Sequence, residues 1–293
     1  MVQQKIQEIF MRPIIMPESY NYIGVFLTFA CNLQCSYCIN YFKQDIIKRK
    51  DISGKDWVRG LNRIISRDDL PVTLQGGEPS LHKDFLYIIN NLKPELNIDI
   101  LTNLQFDVEE FIKKVSPDRV KRKAPYASIR VSYHPEQMDL DEIIRKTLRM
   151  LEANFSVGIW GIIHPKYEKM ILEAQGRCQE LGIDFRTKDF LGEYNDKLYG
   201  TYKYAGACER KFKRKVLCKT TELIIGPDGY IYRCHSDLYG NRIPVGHILD
   251  EDFKIIGEYR VCQCFGYCNP CDVKVKTNRF QQYGHTSVDI QLI

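Results

Sequence analysis

Ile23-Gly24-Val25-Phe26-Leu27-Thr28-Phe29-Ala30-Cys31-Asn32-Leu33-Gln34-Cys35-Ser36-Tyr37-Cys38 decides how the rest of the sequence is read. Its first half is apolar and rich in β-branched and aromatic residues, the composition of a strand buried on both faces. Its second half spaces three cysteines as Cys-x3-Cys-x2-Cys, so the strand ends in a thiolate claw. Soft thiolates select zinc or iron–sulfur clusters over hard cations. A structural zinc wants four ligands, whereas this run supplies three and the next histidine, His82, lies far downstream. A [4Fe–4S] cluster held by three cysteines leaves one iron open to a small molecule.

After one predicted helix and a second strand the chain reads Leu74-Gln75-Gly76-Gly77-Glu78-Pro79. The two motifs together resemble the signature of the radical S-adenosylmethionine (AdoMet) superfamily, and the resemblance covers nearly the whole chain after Tyr22. It implies that Cys31, Cys35 and Cys38 hold a [4Fe–4S] cluster whose open iron is chelated by AdoMet. It also implies that Gly76, Gly77, Glu78 and Pro79 hold the AdoMet amino group, the glycines letting backbone approach the ligand closely. By the same similarity Tyr37, Thr102, Asn103, Ser132 and Ile162, within Gly161-Ile162-Ile163, meet the rest of AdoMet. In that family an electron cleaves the sulfonium, and a 5′-deoxyadenosyl radical abstracts a substrate hydrogen atom. The alternative is a zinc knuckle beside an unrelated Gly-Gly turn. No catalytic acid or base is assigned; His134 and His164 read as loop histidines before Pro135 and Pro165.

Composition sets outer bounds. The 293 residues suffice for one large domain or a barrel with an appendage, and 44% hydrophobic with 27% charged residues is ordinary for a globular chain. No apolar run approaches the ~20 residues of a membrane span. Polar Gln3, Gln4 and Gln7 stand where a signal peptide would place its apolar core, so a cytoplasmic protein is predicted. Eleven cysteines without a secretion signal argue for metal binding rather than disulfides. A net charge of +5 does not by itself imply nucleic acid. Lys203 to Lys215 is locally basic, with Arg210, Lys211, Lys213 and Arg214, and reads as a solvated loop.

Residues 1–22, with Pro13 and Pro17, read as an N-terminal extension lying on the domain. From Ile23 to Lys188 strands and helices alternate. Ser53 with Asp56 resembles a capping box for a helix whose stripe is Trp57, Leu61, Ile64 and Ile65. Asp139 caps a later one, and Cys178 falls on an apolar helix face as a core thiol. Six alternations imply a parallel sheet, which in the superfamily curls into a partial (β/α)6 TIM-like barrel with its site at the C-terminal strand ends. The predicted organisation is α/β: extension 1–22, barrel 23–188, and a small cysteine-rich domain, 189–293, containing a β-hairpin.

That last region holds Cys208, Cys218, Cys234, Cys262, Cys264, Cys268 and Cys271. Gly226-Pro227-Asp228-Gly229 turns a hairpin. If Gly226 pairs with Gly229, then Cys234 faces Thr221, within roughly 10 Å of Cys218. Cys218-x10-Gly229-x4-Cys234 resembles the opening of SPASM and twitch domains, which carry auxiliary [4Fe–4S] clusters. The resemblance implies one such cluster on Cys218, Cys234, Cys268 and Cys271, with Cys208, Cys262 and Cys264 as substitutes or ligands of an incomplete second one. Zinc on the same thiolates is the alternative. The expected function is hydrogen abstraction from a small molecule (a sugar, aminocyclitol or nucleotide) or a short peptide, with a flavodoxin or ferredoxin as reductant. Two rivals are maturation of protein side chains and a non-catalytic iron–sulfur or zinc protein binding RNA through 203–215.

Overall fold

The computed structural model describes residues 11–39, 49–277 and 283–293. Six parallel strands run through one sheet in sequence order: Tyr22–Thr28, Val72–Gly76, Ile98–Thr102, Ile129–Tyr133, Val157–Ile163 and Phe185–Asp189. Helices Gly54–Leu61, Phe85–Asn91, Val108–Lys114, Leu140–Glu152 and Glu168–Glu180 connect them. Ser53, Asp107 and Asp139 each accept a hydrogen bond from the amide three residues on, so side-chain oxygens start three of these helices. Their apolar stripes and the buried faces of the strands form one core around Trp57, Leu61, Val25, Leu74, Ile100 and Ile159. Among the described residues the sixth strand is an edge and does not pair with the first, so the sheet is an open, partial barrel, as expected.

Ile64 and Ile65 do not continue the first helix, which ends at Leu61. They form a two-residue strand parallel to Ile14–Ile15 and thereby dock the N-terminal extension. Between them and that helix, Arg63 is buried and donates to the carbonyls of Arg12, Ile248 and Glu251, joining three distant segments. Helical periodicity alone does not separate such an apolar pair from a fourth turn.

The hairpin does not stand apart from the barrel. Glu222–Ile225 lies parallel against Tyr22–Thr28, Leu223 opposite Ile23, and Tyr230–Tyr232 and Gly246–His247 follow antiparallel, giving nine strands in one sheet. Its register differs by one residue from that expected. Ile224 faces Tyr232, which extended places Cys234 against Glu222 rather than Thr221. The cause is Gly229, in the left-handed region at φ 79°, which adds a residue after the turn closed by Gly229 N–H on Gly226 O. Beyond it, Arg214–Thr220 pairs antiparallel with Arg260–Phe265 and Val288–Leu292 in a separate three-stranded sheet.

Candidate functional site

A cavity of about 1620 Å3 opens at the C-terminal ends of the barrel strands. Cys31, Cys35 and Cys38 line it, and so do Tyr37, Gly76, Gly77, Glu78, Thr102, Asn103, Ser132 and Ile162. Pro79 instead is buried at the start of the 3-10 turn Pro79–Leu81. The space exceeds the ~300–1,000 Å3 usual for one ligand.

Beside the ligand contact that the resemblance implies, the two glycines permit a close contact within the protein. A Cβ on Gly76 would stand 2.2 Å from Thr28 O, and one on Gly77 2.2 Å from Ala30 O. Gly77 N–H donates to Thr28 O and Glu78 N–H to Ala30 O, at 2.9 and 2.8 Å. The close approach is therefore between this turn and the backbone entering the cysteine loop. Glu78 is 1% exposed. Its carboxylate accepts from Ser80 N–H and Oγ, from Thr102 Oγ1 at 2.7 Å and from Asn103 N–H at 2.7 Å. Burial raises its pKa, against these hydrogen bonds, which lower it. Asn103 Nδ2 in turn donates to Asn32 Oδ1, at 2.7 Å, inside the cysteine loop.

The opposite side of that loop is held by residues after the fourth strand. Gln34 N–H donates to Gln137 Oε1 at 2.6 Å. Ser36 donates to Glu136 through N–H and Oγ, at 2.6 and 2.8 Å, and Tyr167 Oη donates to the same carboxylate at 2.7 Å. Tyr37 Oη lies 3.1 Å from His134 Nδ1, and its ring stacks on His164 with centroids 5.0 Å apart. His134 and His164 are thus packed against the cysteine loop rather than free at the rim. Burial pulls His134 down to about 4, so it is neutral near pH 7, and His164 moves the same way for the same reason.

In the C-terminal region Cys218 and Cys262 share one face of the three-stranded sheet, since Val216 faces Cys262 and Cys218 faces Arg260. Cys218, Cys234, Cys262 and Cys268 pack around the small core of Ala207, Cys208, Val216 and Phe265. Burial raises the Cys218 thiol to about 12, and Cys262 and Cys234 are among its charged-state neighbours; Cys268 adjoins Cys262, Cys218 and Cys208. Cys208 also hydrogen-bonds Tyr202. Cys264 follows Cys262 along the strand, its N–H donating to Cys262 Sγ. Cys271, in contrast, lines the main cavity, and its strongest charged neighbours are Lys274, Asp272, Lys276 and Glu222. Among the described residues no three Cys, His, Asp or Glu side chains converge on a single metal-ion position.

Sequence reading passed over the cations of the cavity. Lys188, near the end of the sixth strand, lines the cavity on an exposed stretch; desolvation within the cavity, then Arg130 and Lys274, draw its ammonium down to about 7, with Cys271 acting in the opposite sense. Its place at a strand end was the available signal. The Glu136 clamp gave none, since its partners are 100 residues away.

An open α/β barrel whose first strand delivers three cysteines into the mouth, beside a Gly-Gly-Glu turn, defines a radical AdoMet domain. Residues 25–122, which carry the three cysteines and the Gly-Gly-Glu turn, match the family described as the Radical SAM superfamily. The chain's cofactors are those of that superfamily, a [4Fe–4S] cluster and AdoMet. The donor set fits them: three soft sulfurs on one loop at the wall of a cavity larger than one ligand needs. The chain is similar to the GTP 3′,8-cyclase of Clostridium perfringens strain 13, 26% identical over 57% of this chain and 54% of that protein. It is also similar to the GTP 3′,8-cyclase of Nautilia profundicola, 28% identical over 72% and 71%. The chain thus spans about half the length of the first of these relatives. In fold it resembles Streptococcus suis SuiB bound to S-adenosylmethionine, with a TM-score of 0.54 at 17% identity over 79% of this chain and 64% of that one. No helix among the described residues is long and apolar enough to cross a membrane.

Proposed function

We propose that the protein is a radical AdoMet enzyme that abstracts a hydrogen atom from a nucleotide-like small molecule held between the barrel mouth and the C-terminal cysteine region. One observation carries this reading: Cys31, Cys35 and Cys38 line the same cavity as Cys271 and Lys274, with room for AdoMet and a second ligand together. The nucleotide class is supported by the relatives named GTP 3′,8-cyclase. The bound cluster and AdoMet supply, on reduction by a flavodoxin- or ferredoxin-type donor, a carbon-centred radical for hydrogen abstraction. Cys31, Cys35 and Cys38 hold the cluster. Glu78, through Thr102 and Asn103, fixes the strand ends, and Tyr37, His134 and His164 close the loop side with packed rings.

For the auxiliary site the packing favours Cys218, Cys234, Cys262 and Cys268, with Cys262 replacing the Cys271 that the resemblance implies. Half-buried thiols near one another, raised in pKa by desolvation, are ligands that a cationic metal group would deprotonate. The test is anaerobic: reconstituted protein, AdoMet, dithionite and a panel of ribonucleoside triphosphates, following 5′-deoxyadenosine. Release that rises with one nucleotide supports the proposal. Release stimulated by a short peptide and by no nucleotide would move the substrate to the peptide class. No release at all would leave a binding protein.

A further inference from the structure

The cations around the cavity fall into two groups. Arg122 and Arg130 meet the fully buried Asp99 at 2.7 and 3.2 Å, Arg186 meets Asp184 at 3.0 Å, and Lys276 meets Glu222 at 2.6 Å. Each of these cations has a carboxylate partner within the protein, Arg122 and Arg130 sharing one. Lys188 and Lys274 also line the cavity, yet among the described residues neither ammonium has a hydrogen bond or ion pair; Lys123, exposed on the loop before the fourth strand, lines it too and likewise has none. Asp189 lines it as well and forms no ion pair with either. The two lysines are electrostatic neighbours, with Arg130 beside Lys188 and the Cys271 thiol, neutral unless deprotonated, beside both. Like charges gathered without a counter-charge repel one another unless a ligand supplies it.

From this contrast we infer that Lys188 and Lys274 form a binding subsite for a phosphoryl group of the substrate. A phosphate monoester carries about −1.5 to −2 at neutral pH and so matches two unpaired ammonium groups, which a single carboxylate does not. Lysine binds phosphate as a point charge and needs no bidentate geometry. The subsite straddles the two parts of the chain. Lys188 ends the sixth strand, three strands along the sheet from Thr102, and Lys274 follows the short helix Pro270–Val273 that carries Cys271. A phosphorylated substrate anchored there spans the cavity toward Cys31 and leaves the strand ends from Gly76 to Ile162 to AdoMet. This inference rests on the proposed function for what the anchored molecule undergoes, but not for the binding itself.

The test uses the full chain, anaerobically reconstituted, with inorganic pyrophosphate as probe and calorimetric titration as readout. Wild type should bind pyrophosphate. Lys188→Ala and Lys274→Ala should each weaken it by about tenfold or more, and Lys188→Arg should keep most of the affinity. Succinate should bind about tenfold or more weakly than pyrophosphate, and Lys113→Ala, on the surface helix Val108–Lys114, should leave pyrophosphate binding unchanged. Lys188→Gln substitutes for any alanine variant whose thermal transition is lost. Affinity unchanged in both lysine variants overturns the subsite, and succinate binding as tightly as pyrophosphate overturns its phosphoryl character. Release of 5′-deoxyadenosine by wild type reads the radical assignment separately. Its absence beside intact pyrophosphate binding would fail that assignment and not the subsite.

Discussion

Glu78 accepts hydrogen bonds from three residues on two strand ends while remaining almost wholly buried. Removing it would leave Ser80, Thr102 and Asn103 donors unpaired, at ~1–3 kcal/mol each. Glu78→Ala should therefore lower the thermal midpoint by several degrees as well as weaken AdoMet binding, and Glu78→Gln, which keeps one acceptor oxygen, should lower it less. An unchanged midpoint in Glu78→Ala would mean that the carboxylate serves the ligand alone. Gly77→Val sharpens the same point. Its Cβ meets Ala30 O, one residue before Cys31, so the damage falls on the cysteine loop. Iron in reconstituted protein should drop from about eight atoms to about four, the auxiliary share. Full iron with weakened AdoMet binding would restore the idea that the glycine makes room for the ligand. The motif was legible in the sequence, but the reason for its glycines was not, because a Cβ clash depends on a backbone 47 or 48 positions away in the chain.

The segment His134-Pro135-Glu136-Gln137 grips the cysteine loop by hydrogen bonds to Gln34, Ser36 and Tyr37. Hydrogen bonds to a charged group contribute about 1.5–3 kcal/mol. Glu136→Ala should therefore speed chelator-driven iron loss from the Cys31 loop by about tenfold or more, followed by absorbance. Equal loss rates would confine Glu136 to its contact with Tyr167. His134 makes the grip sensitive to acid. Its folded value of about 4 lies below the ordinary value of 6.5, so on acidification the unfolded chain takes up the proton first. Its contribution is complete above 6.5 and is lost as pH falls toward 4. Thermal midpoints measured through that window should fall in the wild type and fall less in His134→Gln. Most helices were legible from caps and stripes, as at Ser53 and Asp139, because those signals are local. The clamp and the Ile14–Ile15 pairing with Ile64–Ile65 were not, because nothing local marks which distant strand or loop supplies the partner.

At the scale of the molecule the cysteines divide between a cavity set and a C-terminal set. Replacing Cys31, Cys35 and Cys38 together by alanine should leave about four irons and no AdoMet cleavage. Cys262→Ala should remove the auxiliary four, whereas Cys271→Ala should retain them. The reverse result would return the fourth ligand to Cys271. The alternation that makes the partial barrel was legible from periodicity and turn chemistry, up to the sixth strand. The fusion of barrel and hairpin into one sheet was not, because parallel pairing of Glu222–Ile225 with Tyr22–Thr28 joins residues about 200 positions apart. That pairing has a consequence in time. The strand that presents the cysteines lies between Val72–Gly76 on one side and Glu222–Ile225 on the other, and the second neighbour is synthesised long after the first. At about 5–20 residues per second a nascent chain carries the cysteine strand with one bare edge for roughly 10–40 s. An unpaired, apolar edge is a template for the wrong partner. Fragments that stop before Glu222 should precipitate on synthesis in a cell-free system while the whole chain stays in solution, and the iron site would be completed only on a chain that has closed this edge.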